Sequence, residues 1–85
     1  MTGSRRTDIE RALRHIRKAA EIYKGKNLND RWIAIGHMAE ASESCLPEHG
    51  DVAEEIRLER IVMMDDPYHY SPDFKSLITR VSGIK

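Results

Sequence analysis

Apolar residues recur every three to four positions through most of this 85-residue chain, and three breaks cut the pattern, at Gly25, Pro47 and Pro67. That period puts the apolar residues on one face of an α-helix, whereas a strand would alternate every second residue. Ile9, Ala12, Leu13, Ile16, Ala19, Ala20 and Tyr23 form the first stripe and predict a helix over 8–24. Thr7 and Glu10 have the spacing of a capping box at its start, and Gly25 stops it.

A second helix is predicted over 30–46, with Asn29 as N-cap, Leu28 and Ile33 as a hydrophobic staple, and Pro47 as its close. Its apolar residues are Trp32, Ala34, Ile35, Met38, Ala39, Ala41, Cys45 and Leu46. They cover about half of the helix circumference, which suits a central helix that touches more than one neighbour. A third helix is expected over 52–64, capped by Asp51 with Glu54. It has two apolar sides. Val52, Ala53, Ile56, Met63 and Met64 make one, and Leu58, Ile61 and Val62 make another, nearly opposite. Residues 65–71 read as a connector because Pro67 blocks helix continuation. Ser71 and Pro72 then read as the N-cap and first residue of a short helix, with Phe74, Leu77, Ile78 and Val81 on its apolar face and its end near Gly83. The expected fold is all-α: a small helical bundle with an antiparallel helical hairpin, a third helix packed across it and a short C-terminal helix. All 85 residues belong to one domain on this reading, with the first six flexible.

Charge is unevenly spread along a chain of zero formal net charge. Up to Lys26 the net is +5, carried by Arg5, Arg6, Arg11, Arg14, Arg17, Lys18, Lys24 and Lys26 against Asp8, Glu10 and Glu21. From Asn27 to Arg60 it is −5, with Arg31, Arg57 and Arg60 against eight carboxylates. The split suggests complementarity within the bundle or across a dimer. Arg11, Arg14, Arg17 and Lys18 share the polar side of the first helix and form a possible charged contact face. Glu10 and Glu21 lie four residues from Arg14 and Arg17, the spacing of intrahelical pairs.

Catalytic and metal-binding sets are sparse. His37 and Glu40 stand in the order His-x-x-Glu, without the duplicated Glu-x-x-His of di-iron bundles. Asp65, Asp66 and His69 surround a proline, and no set of three or four convergent ligands emerges. Cys45 falls on an apolar helix side, as a packing residue does, and a lone cysteine excludes an internal disulfide. No cofactor and no metal is expected. Arg31 and His37 have the spacing Arg-x5-His, which resembles the Arg-x4-6-His motif of HEPN-type ribonucleases and would imply an RNA-cleaving pair. The resemblance covers those two residues. Trp32 stands where that motif usually has a polar residue, and six positions on a regular helix set the side chains about 120° apart.

Three aromatic residues, Tyr68, Tyr70 and Phe74, cluster beside the acidic connector. They either cover the end of the bundle or form a docking segment. Trp32 reads as a residue capping the core. The second apolar side of the third helix has no assured cover within one chain, so a homodimer is expected, with Leu58, Ile61, Val62, Tyr68, Tyr70 and Phe74 as the dimer or partner surface. The leading functional expectation is a non-enzymatic interaction protein, a regulator, adaptor or inhibitor of a larger cytoplasmic protein. No apolar run approaches a membrane span, and no signal peptide is seen. The alternatives are nucleic-acid binding through the basic first helix and, second, a HEPN-like nuclease.

Overall fold

The computed structural model describes residues 6–84, so most of the segment expected to be flexible, residues 1–5, lies outside the described residues. Four helices and no strand are present among them: α1 (Ile9–Tyr23), α2 (Leu28–Ser44), α3 (Gly50–Asp65) and α4 (Phe74–Ser82). α1 and α2 form an antiparallel hairpin whose register is marked by Asp8 bonding to Ser44, Arg11 to Glu40 and His15 to His37. α2 also packs against α3, and α4 lies on α1 with a smaller contact to α3. The all-α bundle read from the apolar periodicity is the fold observed.

The core lies where these helices converge. Ile16, Met38, Ile56, Met63, Val52, Val81 and Cys45 are its largest fully buried side chains. Ala12, Ala19, Ala34 and Ala41 are also fully buried and let neighbouring backbones approach closely. α4 contributes Leu77 and Val81, and Phe74 meets the Tyr23 ring edge-on at 5.7 Å between centroids.

Helix starts differ from the sequence expectation at each end tested. Asp8, not Thr7, caps α1, and its carboxylate accepts the Arg11 amide at 3.0 Å. The Thr7 hydroxyl is taken by the Glu48 amide instead, at 3.1 Å. Asn27, not Asn29, caps α2 by accepting from the Asn29 and Asp30 amides. The helix therefore starts at Leu28, and the Leu28–Ile33 staple does not form, since Ile33 is exposed. α2 ends at Ser44, and Leu46 stands exposed beyond it. α3 starts at Gly50 after His49, which makes no side-chain cap bond. Asp51 lies in its first turn and reaches Arg80, while Glu54 binds Arg57. Asp73, not Ser71, caps α4 by accepting the Ser76 amide, and Pro72 is buried before the cap.

One charged side chain closes the bundle. Arg31 is only 8% exposed. Its Nη1 donates to the carbonyls of Pro67 and Tyr68 at 2.7 and 3.1 Å, Nε to Gly25 at 3.4 Å and Nη2 to Tyr23 at 3.5 Å. The guanidinium also lies 4.1 Å from the centroid of the Tyr23 ring, a cation–π contact. The Tyr23 hydroxyl donates to the Tyr70 carbonyl at 2.5 Å. The α1–α2 turn and the α3–α4 connector are thereby held together. Replacing Arg31 by Met keeps the aliphatic packing and removes these bonds. The expected cost is about 3 kcal/mol, since hydrogen bonds to charged groups are the strong ones. In a chain of this size that lowers Tm by more than about 10 °C in a circular-dichroism melt. Arg31→Lys should recover little of it, because an ammonium cannot span the same fork of acceptors.

Candidate functional site

The outward side of α3 is the first candidate surface. Residues three and four apart on a helix share a face, and Leu58, Ile61 and Val62 are 51%, 43% and 41% exposed. Met64, expected on the buried side, is exposed and joins this strip, while Val52, Ala53, Ile56 and Met63 fill the core. α4 does not cover the strip, because it runs along α1. Ile61, Val62, Met64 and Asp65 line a shallow groove of about 390 Å³. Carboxylates of α3 border the strip, and several are already engaged: Asp51 and Glu55 with Arg80, Glu54 with Arg57.

The aromatic cluster divides. Phe74 packs on the core, and Tyr70 is half-buried with its hydroxyl donating to Glu59. That bond to a carboxylate, with burial, pushes the Tyr70 phenol up to about 12. Both rings cover the bundle end rather than facing outward. Tyr68 is the outward member, 63% exposed. Trp32, read as a core cap, is exposed. Cys45 is fully buried, and burial followed by the nearby Asp51 charge pushes its thiol up, away from thiolate chemistry.

The second candidate surface is a feature that sequence reasoning missed. On the open side of the hairpin, away from α3 and α4, His15 Nδ1 and His37 Nδ1 stand 2.9 Å apart, with ring centroids at 5.1 Å. The two imidazoles sit in a groove of about 590 Å³ lined also by Arg14, Arg17, Lys18 and Glu21. Among the described residues Arg14, Arg17 and Lys18 form no ion pair. Glu21 pairs with Lys24 rather than with Arg17, and Arg11 reaches Glu40 at 3.0 Å. Arg11–Glu40 joins the basic α1 to the acidic segment across the hairpin. The signal for the histidine pair was the hairpin register itself, which sets positions 15 and 37 opposite each other.

Arg31 and His37 belong to separate networks. Arg31 is spent on backbone carbonyls and the Tyr23 ring at one end, and His37 faces His15 along the seam. Among the described residues no group of three or more His, Cys, Asp or Glu side chains is placed to hold a metal ion. No described helix is long and apolar enough to cross a membrane. Fold and surfaces together define a small all-α bundle with an uncovered apolar helix strip on one side and a basic groove on another. No family model, curated protein or solved structure matches the chain.

The histidine pair has a consequence for stability. Burial, the facing His37 and the Arg11 charge hold His15 below its ordinary value, against an opposing pull from Glu40. An imidazole held lower in the folded chain takes up its proton earlier in the unfolded chain as pH falls. Stability is then complete above the ordinary histidine value of about 6.5 and is lost as pH drops below it. Thermal melts from about pH 7.5 to about pH 5.5 should show Tm falling in the wild type and a flatter profile in His15→Gln. The carboxylates of Asp51, Glu54 and Asp73 are held low by hydrogen bonds and stay ionised across that window.

Proposed function

We propose that this chain is a small non-enzymatic interaction protein, a regulator, adaptor or inhibitor that acts by covering a surface of a larger protein. The observation that carries this reading is the strip of Leu58, Ile61, Val62 and Met64, exposed on one side of α3 and left uncovered by the rest of the described residues. Contiguous exposed apolar surface rimmed by polar residues commonly marks an interaction site. The rim gives the partner its chemistry. α3 carries Asp51, Glu54, Glu55, Glu59 and Asp65 against its own Arg57 and Arg60 and Arg80 of α4, an acidic excess of two charges, so the surface best suited to it is an apolar ridge with basic flanks. Such complementarity governs orientation and association rate more than affinity. A cytoplasmic setting is part of the proposal, in keeping with a lone, buried thiol at Cys45.

A second copy is the competing occupant. With Ile61 on a two-fold axis, antiparallel α3 helices would set Leu58 of each copy against Met64 of the other, and Arg57 against Asp65. The acidic excess of α3 would then be doubled along one interface, which favours a basic partner over self-pairing.

Leu58→Glu with Ile61→Glu separates these cases. Both residues are exposed, so the double variant should keep its melting behaviour within about 0.5 kcal/mol per site. Light scattering on a sizing column should give a monomer for wild type and variant alike. A protein captured from the native lysate by the wild type should bind it directly when purified, and should lose the double variant. A wild-type dimer dissolved by the double variant would assign the strip to a second copy. A monomer whose captured proteins bind the variant equally would overturn the reading.

A further inference from the structure

The groove on the open side of the hairpin is independent of the α3 strip and has a chemistry of its own. α1 presents Arg14, Arg17 and Lys18 within little more than one helical turn, and α2 adds His37 opposite His15. Arg14 and Lys18 are separated by about 6 Å along the helix axis, and all three cations are exposed. Like charges this close repel one another, and Glu21, the carboxylate on the same wall, pairs with Lys24 instead. A bound anion would offset them. Guanidinium groups hold phosphate oxygens through paired hydrogen bonds, and an ammonium does so as a point charge.

The shape of the groove decides between a compact phosphate ligand and a polymer. Its volume of about 590 Å³ falls in the range of small-ligand sites. Glu21 stands on its wall towards the α1–α2 turn, and Glu40, tied to Arg11, lies on the seam beyond the groove. A nucleic-acid strand running along the seam would meet one or the other, and a footprint of three cations neutralises few phosphates. We propose that this groove binds a small ligand bearing two linked phosphates, of the pyrophosphate or nucleoside-diphosphate class, with Arg14, Arg17 and Lys18 on its phosphate oxygens and His15 and His37 at its side.

The facing imidazoles add a property that a plain basic patch lacks. At 2.9 Å between Nδ1 atoms, one ring donates to the other while the pair is neutral. The groups facing them are Arg11, Arg14, Arg17, Lys18 and Glu21 from α1 and Glu40 from α2. Burial, the facing His37 and the Arg11 charge make the unliganded His15 resist a proton. A phosphate group brought alongside reverses the local field and favours an imidazolium that donates to it. Binding is therefore coupled to proton uptake.

Isothermal titration of the full chain with sodium pyrophosphate and, separately, ADP tests this. The expected result is saturable one-to-one binding, weakened by about tenfold or more in Arg14→Gln with Lys18→Gln, whose melt is unchanged, since each lost charge-assisted bond is worth roughly that factor. Heats measured near pH 7 in two buffers of different ionisation enthalpy should report proton uptake by the wild type, reduced in His15→Gln. No binding of either probe, or binding that the Arg14/Lys18 variant leaves unchanged, overturns the proposal. So does tighter binding of a single-stranded oligonucleotide whose salt dependence reports more than three neutralised phosphates, or of vesicles carrying phosphorylated headgroups. Either outcome would assign the cations to a polymer or a membrane surface. Unchanged proton uptake in His15→Gln would remove the histidine pair from the site.

Discussion

The burial of Arg31 is the constraint on which the rest of this bundle depends. A guanidinium taken out of water is costly unless its donors are satisfied. Here the compensation comes from neutral backbone carbonyls rather than from a carboxylate, at Tyr23, Gly25, Pro67 and Tyr68. These acceptors lie in two separate turns, so one side chain fixes the α3–α4 connector against the end of the hairpin. Tyr23 reinforces the same junction with its ring under the guanidinium and its hydroxyl on the Tyr70 carbonyl. Once the connector is held there, α4 runs back along α1, where Leu77 and Val81 reach the core. A helix of nine residues cannot also shield the outer side of α3. The exposed strip is thus a consequence of where Arg31 anchors the chain.

Helix number, type and approximate extent were legible because amphipathic periodicity survives any tertiary arrangement. The buried faces of α1 and α4 and the inner face of α3 follow from the spacing of Ile16, Leu77, Val81, Ile56 and Met63. Cap residues were not legible, for a local reason. The starts of α1, α2 and α4 each offer two competent side chains within one or two positions: Thr7 or Asp8, Asn27 or Asn29, Ser71 or Asp73. At α1, long-range bonds break the tie. The Asp8 amide is held by the Ser44 carbonyl and the Thr7 hydroxyl by the Glu48 amide, and both partners lie at the far end of the hairpin. Arg31 was misleading in the same way. As sequence it is a polar residue near a helix start, and its buried role depends on carbonyls contributed by the connector, 36 and 37 positions later.

Charge shows how a neutral chain can present a polarised surface. The acidic α3 finds its counter-ions on itself, at Arg57, and on α4, where Arg80 bridges Asp51 and Glu55. Arg11 is drawn across the hairpin, to Glu40. The basic stretch of α1 is consequently left with Arg14, Arg17 and Lys18 in excess, beside the facing His15 and His37 rings. Exposed ion pairs of this kind contribute little to stability. Their effect here is on the map of potential: by which carboxylates they occupy, they decide which cations stay open to an outside ligand.

A basic groove and an acid-rimmed apolar strip on one small molecule invite the idea that copies join head to tail, the strip of one on the groove of the next. Heterologous contacts of that type do not close on themselves unless the rotation permits a ring, and otherwise continue into filaments. The side chains argue against it. The groove walls are the side chains of Arg14, Arg17, Lys18, Glu21, His15 and His37, whose polar ends Leu58 or Ile61 would have to strip of water. Charge between exposed groups is screened beyond about 8 Å at physiological ionic strength. Desolvating Arg14, Arg17 and Lys18 under a leucine and an isoleucine would cost more than the screened attraction returns. The two surfaces are therefore matched to different occupants, one apolar with basic flanks and one compact and anionic. Helix α2 stands between them, with His37 on the open seam and Met38 and Ala41 in the core.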